Sequence, residues 1–479
     1  MSEAIMNARS SLDLVFRDRG IYEVSESGGI VLKNPQKFIA QTLDLLVWNL
    51  VFGETEEVRS AAGWIIRRAG LELGILPSSI QGLYEARGRK ECSGFTVPAI
   101  NIRGLSYDVA RAVFRAAMRL KAGAFVFELA RSESKYTDQK PSEYAAVMVA
   151  AALREGWEGP IFIQGDHYQA NANKYAKDPE AELQGISGFC QDSIAAGYYN
   201  IDIDTSTLVD LNKPGVREQQ RANFETSAKL ATFVRSMEPK GITISLGGEI
   251  GEVGKQNSNI EELTAYMDGF LATLSKLAGK KKALSKISVQ TGTTHGGVVL
   301  PDGSIAQVAI DFNTLRTLSA LARDRYGMAG AVQHGASTLP SDAFHKFAEC
   351  ETAEVHLATE FQNLIYENPA FPADLKEEVY KFLRKTCMDE KKPADTDEQF
   401  IYKTRKKAFG PFKRKFWELP ADVRKRIGND LENKFAFLFE RLKVQRTAEL
   451  VKKTVTPVAV IPPAPPGLTE ALQKVNATH

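Results

Sequence analysis

Pro160-Ile161-Phe162-Ile163-Gln164-Gly165-Asp166-His167 is a short apolar run that closes on a glycine, a carboxylate and an imidazole. A run of this length, with turn residues at its borders, reads as a buried strand whose end carries polar groups. The same texture recurs at residues 95–102, 124–129, 199–204, 241–246, 286–291, 330–333 and 353–358, alongside 160–165. Most starts lie roughly 30 to 45 residues apart, enough for a strand, a crossover helix and two loops. Helical patterns fill the gaps at 107–120, 141–154, 180–196, 217–237, 260–277 and 313–323. Eight such units in about 270 residues are the arithmetic of an α/β chain closed into a TIM (β/α)8 barrel, with a doubly wound open sheet as the alternative.

Outside the barrel the patterning changes. Residues 1–90 read as a helical N-terminal extension, 91–370 as the barrel, 371–453 as a basic helical extension and 454–479 as a proline-rich tail. The helical patterns at 38–51 and 59–73 precede Pro77-Ser78-Ser79, which punctuates them, and a further helix is expected at 430–442. Lys403, Arg405, Lys406, Lys407, Lys413, Arg414 and Lys415 crowd one stretch, interleaved with Phe409, Phe412, Phe416 and Trp417. That mixture suits packing or an anionic partner.

Lys plus Arg is 61 against 59 for Asp plus Glu, so the chain as a whole has no nucleic-acid bias. A hydrophobic fraction of 43% and a charged fraction of 25% describe an ordinary globular protein. The 4 cysteines are scattered with no CxxC pair, which fits reduced thiols and excludes a thiolate zinc ribbon. Residues 1–20 lack an apolar core, and the apolar run at 43–52 is well short of the roughly 20 residues a membrane span needs. A cytoplasmic protein without nucleic-acid or membrane partners is expected.

Catalytic groups in a barrel sit at the carboxyl ends of strands. Three of the 6 histidines fall there: His167 after the third strand, His295 in Thr293-Thr294-His295-Gly296-Gly297 after the sixth, and His334 in Gln333-His334-Gly335-Ala336-Ser337-Thr338 after the seventh. Three imidazoles with an open fourth position are a catalytic zinc arrangement. Glycines after His295 and His334, with Ser337 and Thr338, form turns able to cradle a phosphate. Asp204 closes the fourth strand, with Asp202 two residues earlier; a carboxylate there can orient a metal-bound imidazole or transfer a proton. In extended backbone Asp166 and His167 point to opposite sides, so both enter one site only if the strand ends there. Gly247-Gly248-Glu249-Ile250-Gly251-Glu252-Val253-Gly254 after the fifth strand reads as a glycine-rich lid that can carry Glu249 or Glu252 onto a substrate.

The set Asp-His, a Gly/Glu-rich loop after strand five, Thr-His-Gly and His-Gly-x-Ser resembles the class II, zinc-dependent ketose-bisphosphate aldolases, from about residue 95 to 362 in continuous order. Val97-Pro98-Ala99-Ile100-Asn101-Ile102 and Asn200-Ile201-Asp202-Ile203-Asp204 resemble that family's first and fourth strands. The resemblance implies a TIM barrel with one zinc ion per chain on His167, His295 and His334, and a monovalent cation as a further cofactor candidate. It implies that Asp166 moves the proton of the aldol oxygen and that Glu252 or Glu249 removes the donor-carbon proton. Gly296, Gly335, Ala336, Ser337 and Thr359 would hold phosphate, with Asp204 supporting the metal site. The expected reaction is reversible aldol cleavage of a phosphorylated ketose, by default fructose 1,6-bisphosphate to dihydroxyacetone phosphate and glyceraldehyde 3-phosphate, in carbohydrate metabolism. Alternatives are a retro-aldol C4 epimerase of a ketose or sugar acid, and a non-catalytic partner subunit. A homodimer or higher homo-oligomer is expected. The chain departs from the family at Ala336 and Thr338, at Ser245 where a strand-five Glu is usual, and after strand eight, where His356, Ala358 and Thr359 replace the usual amide and acid. His356 is then expected to recognise a sugar acid or phosphate.

Overall fold

Eight of the apolar runs form parallel strands: β1 (Val97–Asn101), β2 (Val126–Ala130), β3 (Ile161–Gln169), β4 (Asn200–Asp204), β5 (Ser245–Glu249), β6 (Lys286–Val289), β7 (Ala331–Gln333) and β8 (Glu354–Leu357). Each pairs with the next in chain order, and β8 returns to β1 from Glu354↔Val97 to Leu357↔Ile100. The sheet is therefore a closed barrel, and the open-sheet alternative falls away. The computed structural model describes residues 20–24, 29–251, 256–292, 300–301 and 310–465.

Helices α1 (Leu43–Phe52), α2 (Glu56–Glu72) and α3 (Gln81–Gly88) precede the barrel. Helices α4 (Ser106–Leu120), α5 (Pro141–Glu155), α6 (Pro179–Ala196), α7 (Arg221–Met237), α8 (Ile260–Ala278) and α9 (Phe312–Tyr326) surround it, within a few residues of the sequence expectation. Local signals account for that agreement. Helix α8, for example, starts at a capping box in which Asn259 Oδ1 accepts from Glu262 N at 3.0 Å and Glu262 Oε2 accepts from Asn259 N at 3.0 Å.

Strand β5 departs from its expected span of 241–246. Before the ladder begins, the backbone of Ile244 is taken by α7 and its C-terminal turn: its carbonyl accepts from Arg235 at 2.6 Å and its N–H donates to Glu238 at 2.8 Å. The strand starts one residue later and runs through Gly247 and Gly248 to Glu249. These two glycines are strand residues packed against neighbours, not part of a lid. A Cβ on Gly247 would lie 2.2 Å from Asp202 Oδ1, and one on Gly248 2.6 Å from Leu284 Cδ1.

Both extensions pack on the barrel. Helix α2 lies along α5, and Arg154 donates to the Ile39 carbonyl at 2.6 Å. After α10 (Thr359–Tyr366), α11 (Ala373–Thr386) and α12 (Asp397–Thr404), helix α13 (Ala421–Arg441) lies along α4. It begins earlier than the expected 430, because Pro420 stands just before the first turn and cannot continue a preceding helix. Arg115 pairs with Glu432 at 2.7 Å, and Phe125 meets Phe439 at 5.4 Å between ring centroids. The proline-rich segment crosses α2, where Trp64 Nε1 donates to the Pro462 carbonyl at 3.2 Å. No described helix is long and apolar enough to cross a membrane.

The barrel interior is unusual. Branched apolar side chains normally fill it. Here Lys286 Nζ, on β6, donates to Gln164 Oε1 at 2.7 Å, to Asp202 at 3.0 Å and to Glu354. Tyr84 of α3 reaches the same Glu354 with its hydroxyl. An N-terminal helix thus contributes a side chain to a charged layer beneath the site.

Candidate active site

The geometry of Asp166 and His167 is set by a break in β3. Pairing with β4 shifts register between Gly165 and Tyr168, and His167 sits at φ +41°. That twist cancels the strand alternation, so both side chains reach the barrel mouth. Gly165 is required there because a Cβ would lie 2.3 Å from Tyr168 Cζ.

His167 Nδ1 lies 2.9 Å from Asp204 Oδ2 and 3.2 Å from Glu249 Oε2, and its Nε2 is 3.8 Å from Asp166 Oδ1. His334 comes within 4.2 Å of the His167 ring, centroid to centroid, and its Nε2 is 3.0 Å from Ser288 Oγ. The structure thus brings together Asp166, His167, Asp204, Glu249 and His334. His295, Gly296 and Glu252 lie outside the described residues.

Two expectations are corrected by this geometry. Glu249 is the last residue of β5, held against His167, so it is not carried by a lid. Ser245 is not the strand-end position: its hydroxyl bonds Ser285 Oγ at 2.7 Å at the start of the strand. Glu249 supplies the strand-five carboxylate instead. His356 lines the same cavity as His167 and His334. Its Nδ1 is 2.8 Å from Glu128 and its Nε2 2.7 Å from Glu354, while its ring stacks on His334 at 4.0 Å.

Gly335, Ser337 and Thr359 line the cavity, whereas Ala336 is fully buried. Ser337 Oγ accepts from Ala358 N at 2.7 Å, tying the β7 turn to the end of β8. The cavity holds about 740 Å³ and is lined by Asp166, His167 and His334, by Arg103 and Gln362, and by Tyr402, Lys403 and Lys406 of the C-terminal extension. That is ample for a sugar bisphosphate.

Electrostatically the cluster is short of positive charge. Burial lifts Glu249 to about 7, with Asp204 adding to the effect. Burial likewise lifts Glu128 to about 8. For Asp204 burial acts upward, but hydrogen bonds from His167, Ser206 and Gln169 hold it below the usual carboxylate range. For His167 burial acts downward, yet Asp166 and Glu249 raise it well above the ordinary imidazole value. A protonated His167 is thus the cation this group of carboxylates demands, and a divalent metal would meet the same demand. Ligand atoms of Asp166, His167 and His334 lie within 4.8 Å of one another, as do those of His167, Asp204 and Glu249. These nitrogen and oxygen donors fit zinc.

Sequence reasoning missed Glu128, Lys286 and Glu354. A signal existed: Glu128 and Glu354 stand inside expected strands and Lys286 begins one, and a charge inside a fully buried strand needs a partner.

The closed eight-stranded barrel gathers His, Asp and Glu donors within metal-binding distance of one another at its carboxyl rim. Residues 88–413 match the family described as fructose-bisphosphate aldolase class-II, and the chain belongs to that family. None of the curated proteins matches the chain by sequence. Solved structures similar to it include a probable tagatose 6 phosphate kinase from Sinorhizobium meliloti 1021, at 17% identity over 80% of this chain and 98% of that one, with a TM-score of 0.51. The fructuronate-tagaturonate epimerase UxaE from Cohnella laeviribosi is similar at 10% identity over 73% of this chain and 82% of that one, with a TM-score of 0.53. The fructose-bisphosphate aldolase from Campylobacter jejuni is similar at 15% identity over 79% and 95%, with a TM-score of 0.45. At these identities the likeness is one of fold.

Proposed function

We propose that this protein is a zinc-dependent lyase that reversibly cleaves a phosphorylated ketose, by default fructose 1,6-bisphosphate, into dihydroxyacetone phosphate and an aldehyde. The observation that carries the reading is the approach of His167 and His334 within a cluster of carboxylates at the rim of the barrel. Zinc on His167, His334 and His295 would act as a Lewis acid on the ketone oxygen.

The chain's own residues do the rest. Asp166 takes the proton of the C4 hydroxyl as the carbon–carbon bond breaks and returns it in condensation. Asp204 orients His167. Glu249 is held by that same imidazole, which leaves Glu252 as the base for the donor carbon. Gly335, Ser337 and Thr359 orient the donor phosphate along one wall. Retro-aldol C4 epimerisation is a second reading, favoured by Tyr402 and Lys406 of the C-terminal extension, which line the cavity beside the rim and would hold the aldehyde fragment.

A triose-phosphate release assay over a panel of phosphorylated ketoses, on zinc-loaded protein, tests the proposal. Release of dihydroxyacetone phosphate is expected. A C4 epimer without free triose would favour epimerisation, and no turnover of any ketose would overturn both readings. Replacing Glu252 by Gln should lower turnover and donor-proton exchange by roughly 10² to 10⁴ with metal content unchanged.

A further inference from the structure

The basic stretch 403–415 is almost fully neutralised. Lys403 pairs with Asp395 at 2.6 Å, Lys413 with Glu143 at 2.8 Å, Arg414 with Glu418 at 3.4 Å and Lys415 with Glu378 at 2.5 Å, while Arg405 is paired with Glu367 and Lys407 with Glu390. Among the described residues, only Lys406 of this stretch has no ion pair or hydrogen bond from its ammonium group. It is also half-buried and lines the cavity. Lys135 and Lys174 line the same cavity but are exposed, where water solvates an unpaired charge at little cost.

The surroundings sharpen the imbalance. Burial lowers the Lys406 pKa, and the neighbouring Arg103 guanidinium lowers it further. Arg103 is fixed by Glu133 at 2.8 Å and by Gln362 at 3.2 Å. The Glu133 carboxylate is committed, because it also accepts from Asn101, Ala130 and Tyr136. It therefore has little left for Lys406. Two cations thus share a desolvated wall with one occupied carboxylate, in the same cavity as His167 and His334. A partly buried ammonium without a counter-ion costs free energy that a bound anion recovers.

We propose that Lys406, with Arg103, binds the terminal anionic group of the sugar, a phosphate or a carboxylate, on the cavity wall they share. This assignment rests on the sugar-cleaving reading above and adds to it a specificity element from the C-terminal extension. Phosphate and carboxylate share the required chemistry, a compact oxyanion.

The test compares wild-type protein with Lys406→Met and Lys406→Arg, using Lys407→Met as the control because Lys407 is already paired with Glu390. Three ketose 1-phosphates are used, ending at C6 in a phosphate, a carboxylate or a hydroxyl. The expected result is that Lys406→Met lowers the kcat/KM ratio of one or both anionic substrates to the hydroxyl substrate by about 10- to 100-fold, mainly through KM. Lys406→Arg should restore much of the ratio, and Lys407→Met should not move it. The substrate whose ratio moves most identifies the anion. An unchanged ratio, or an equal loss on all three substrates, overturns the proposal. If no ketose is turned over, the functional reading fails, and calorimetry with inorganic phosphate alone decides the subsite. Loss of one binding event in Lys406→Met sustains it; an unchanged isotherm overturns it.

Discussion

At the scale of single residues, the site depends on a local backbone irregularity. His167 at φ +41° is a conformation that a non-glycine residue adopts only when its surroundings hold it. Asp204 does part of that holding through a 2.9 Å contact to Nδ1. Replacing Asp204 by Asn should weaken zinc affinity about 10- to 100-fold, read by competition with a chelator, while circular dichroism stays unchanged. Gly165 permits the Tyr168 ring to fold beneath the bulge. Gly165→Ala should cost about 1–3 kcal/mol in urea unfolding, because an added methyl has no room without backbone movement. That His167 and His334 belong to one site was legible from their places at strand ends. That Asp166 and His167 point the same way was not, since strand alternation predicts the opposite.

At the scale of elements, strand identity came from local texture, and strand ends came from competition. Strand β5 shifted because side chains of α7 and its C-terminal turn take the hydrogen bonds of Ile244. The shift moves Glu249 from an expected lid onto the rim. Strands β6 and β8 carry the interior charges Lys286 and Glu354, which meet across the barrel with Asp202. Burial acts to lower the Lys286 pKa, but these two carboxylates outweigh it and raise the value. Lys286→Met should destabilise the fold by roughly 3–5 kcal/mol in chemical denaturation, because it leaves both carboxylates buried without their cation. A loss well under 1 kcal/mol would mean that the carboxylates take up protons at little cost.

At the scale of the whole molecule, the extensions act as parts of the barrel. Lys413 of the C-terminal extension pairs with Glu143 of α5 at 2.8 Å. Burial lifts Glu143 from 4.5 to about 7, although Lys413 pulls it down. Between those values the folded protein keeps a proton that the unfolded chain releases. The stabilisation is complete below pH 4.5, falls as pH rises to about 7, and is level above that. Glu143→Gln should therefore flatten the decline in Tm between about pH 5 and pH 7 relative to wild type, measured by thermal unfolding across that range. An identical pH profile in the two proteins would show that Glu143 titrates normally.

The sequence by itself determined the number of strands, the surrounding helices and the rim histidines, because hydrophobic period, capping residues and strand-end polarity are properties of neighbouring residues. It also carried the family resemblance that the match over residues 88–413 bears out. Only the tertiary structure decided which charges meet. Tyr84 and Glu354, Gln164 and Lys286, Arg103 and Gln362 are joined from distant parts of the chain. Whether a cation is neutralised by the protein or left for a ligand depends on what else shares its dielectric environment. In the basic stretch 403–415 all seven cations look alike in sequence, and burial and pairing in the folded molecule single out Lys406.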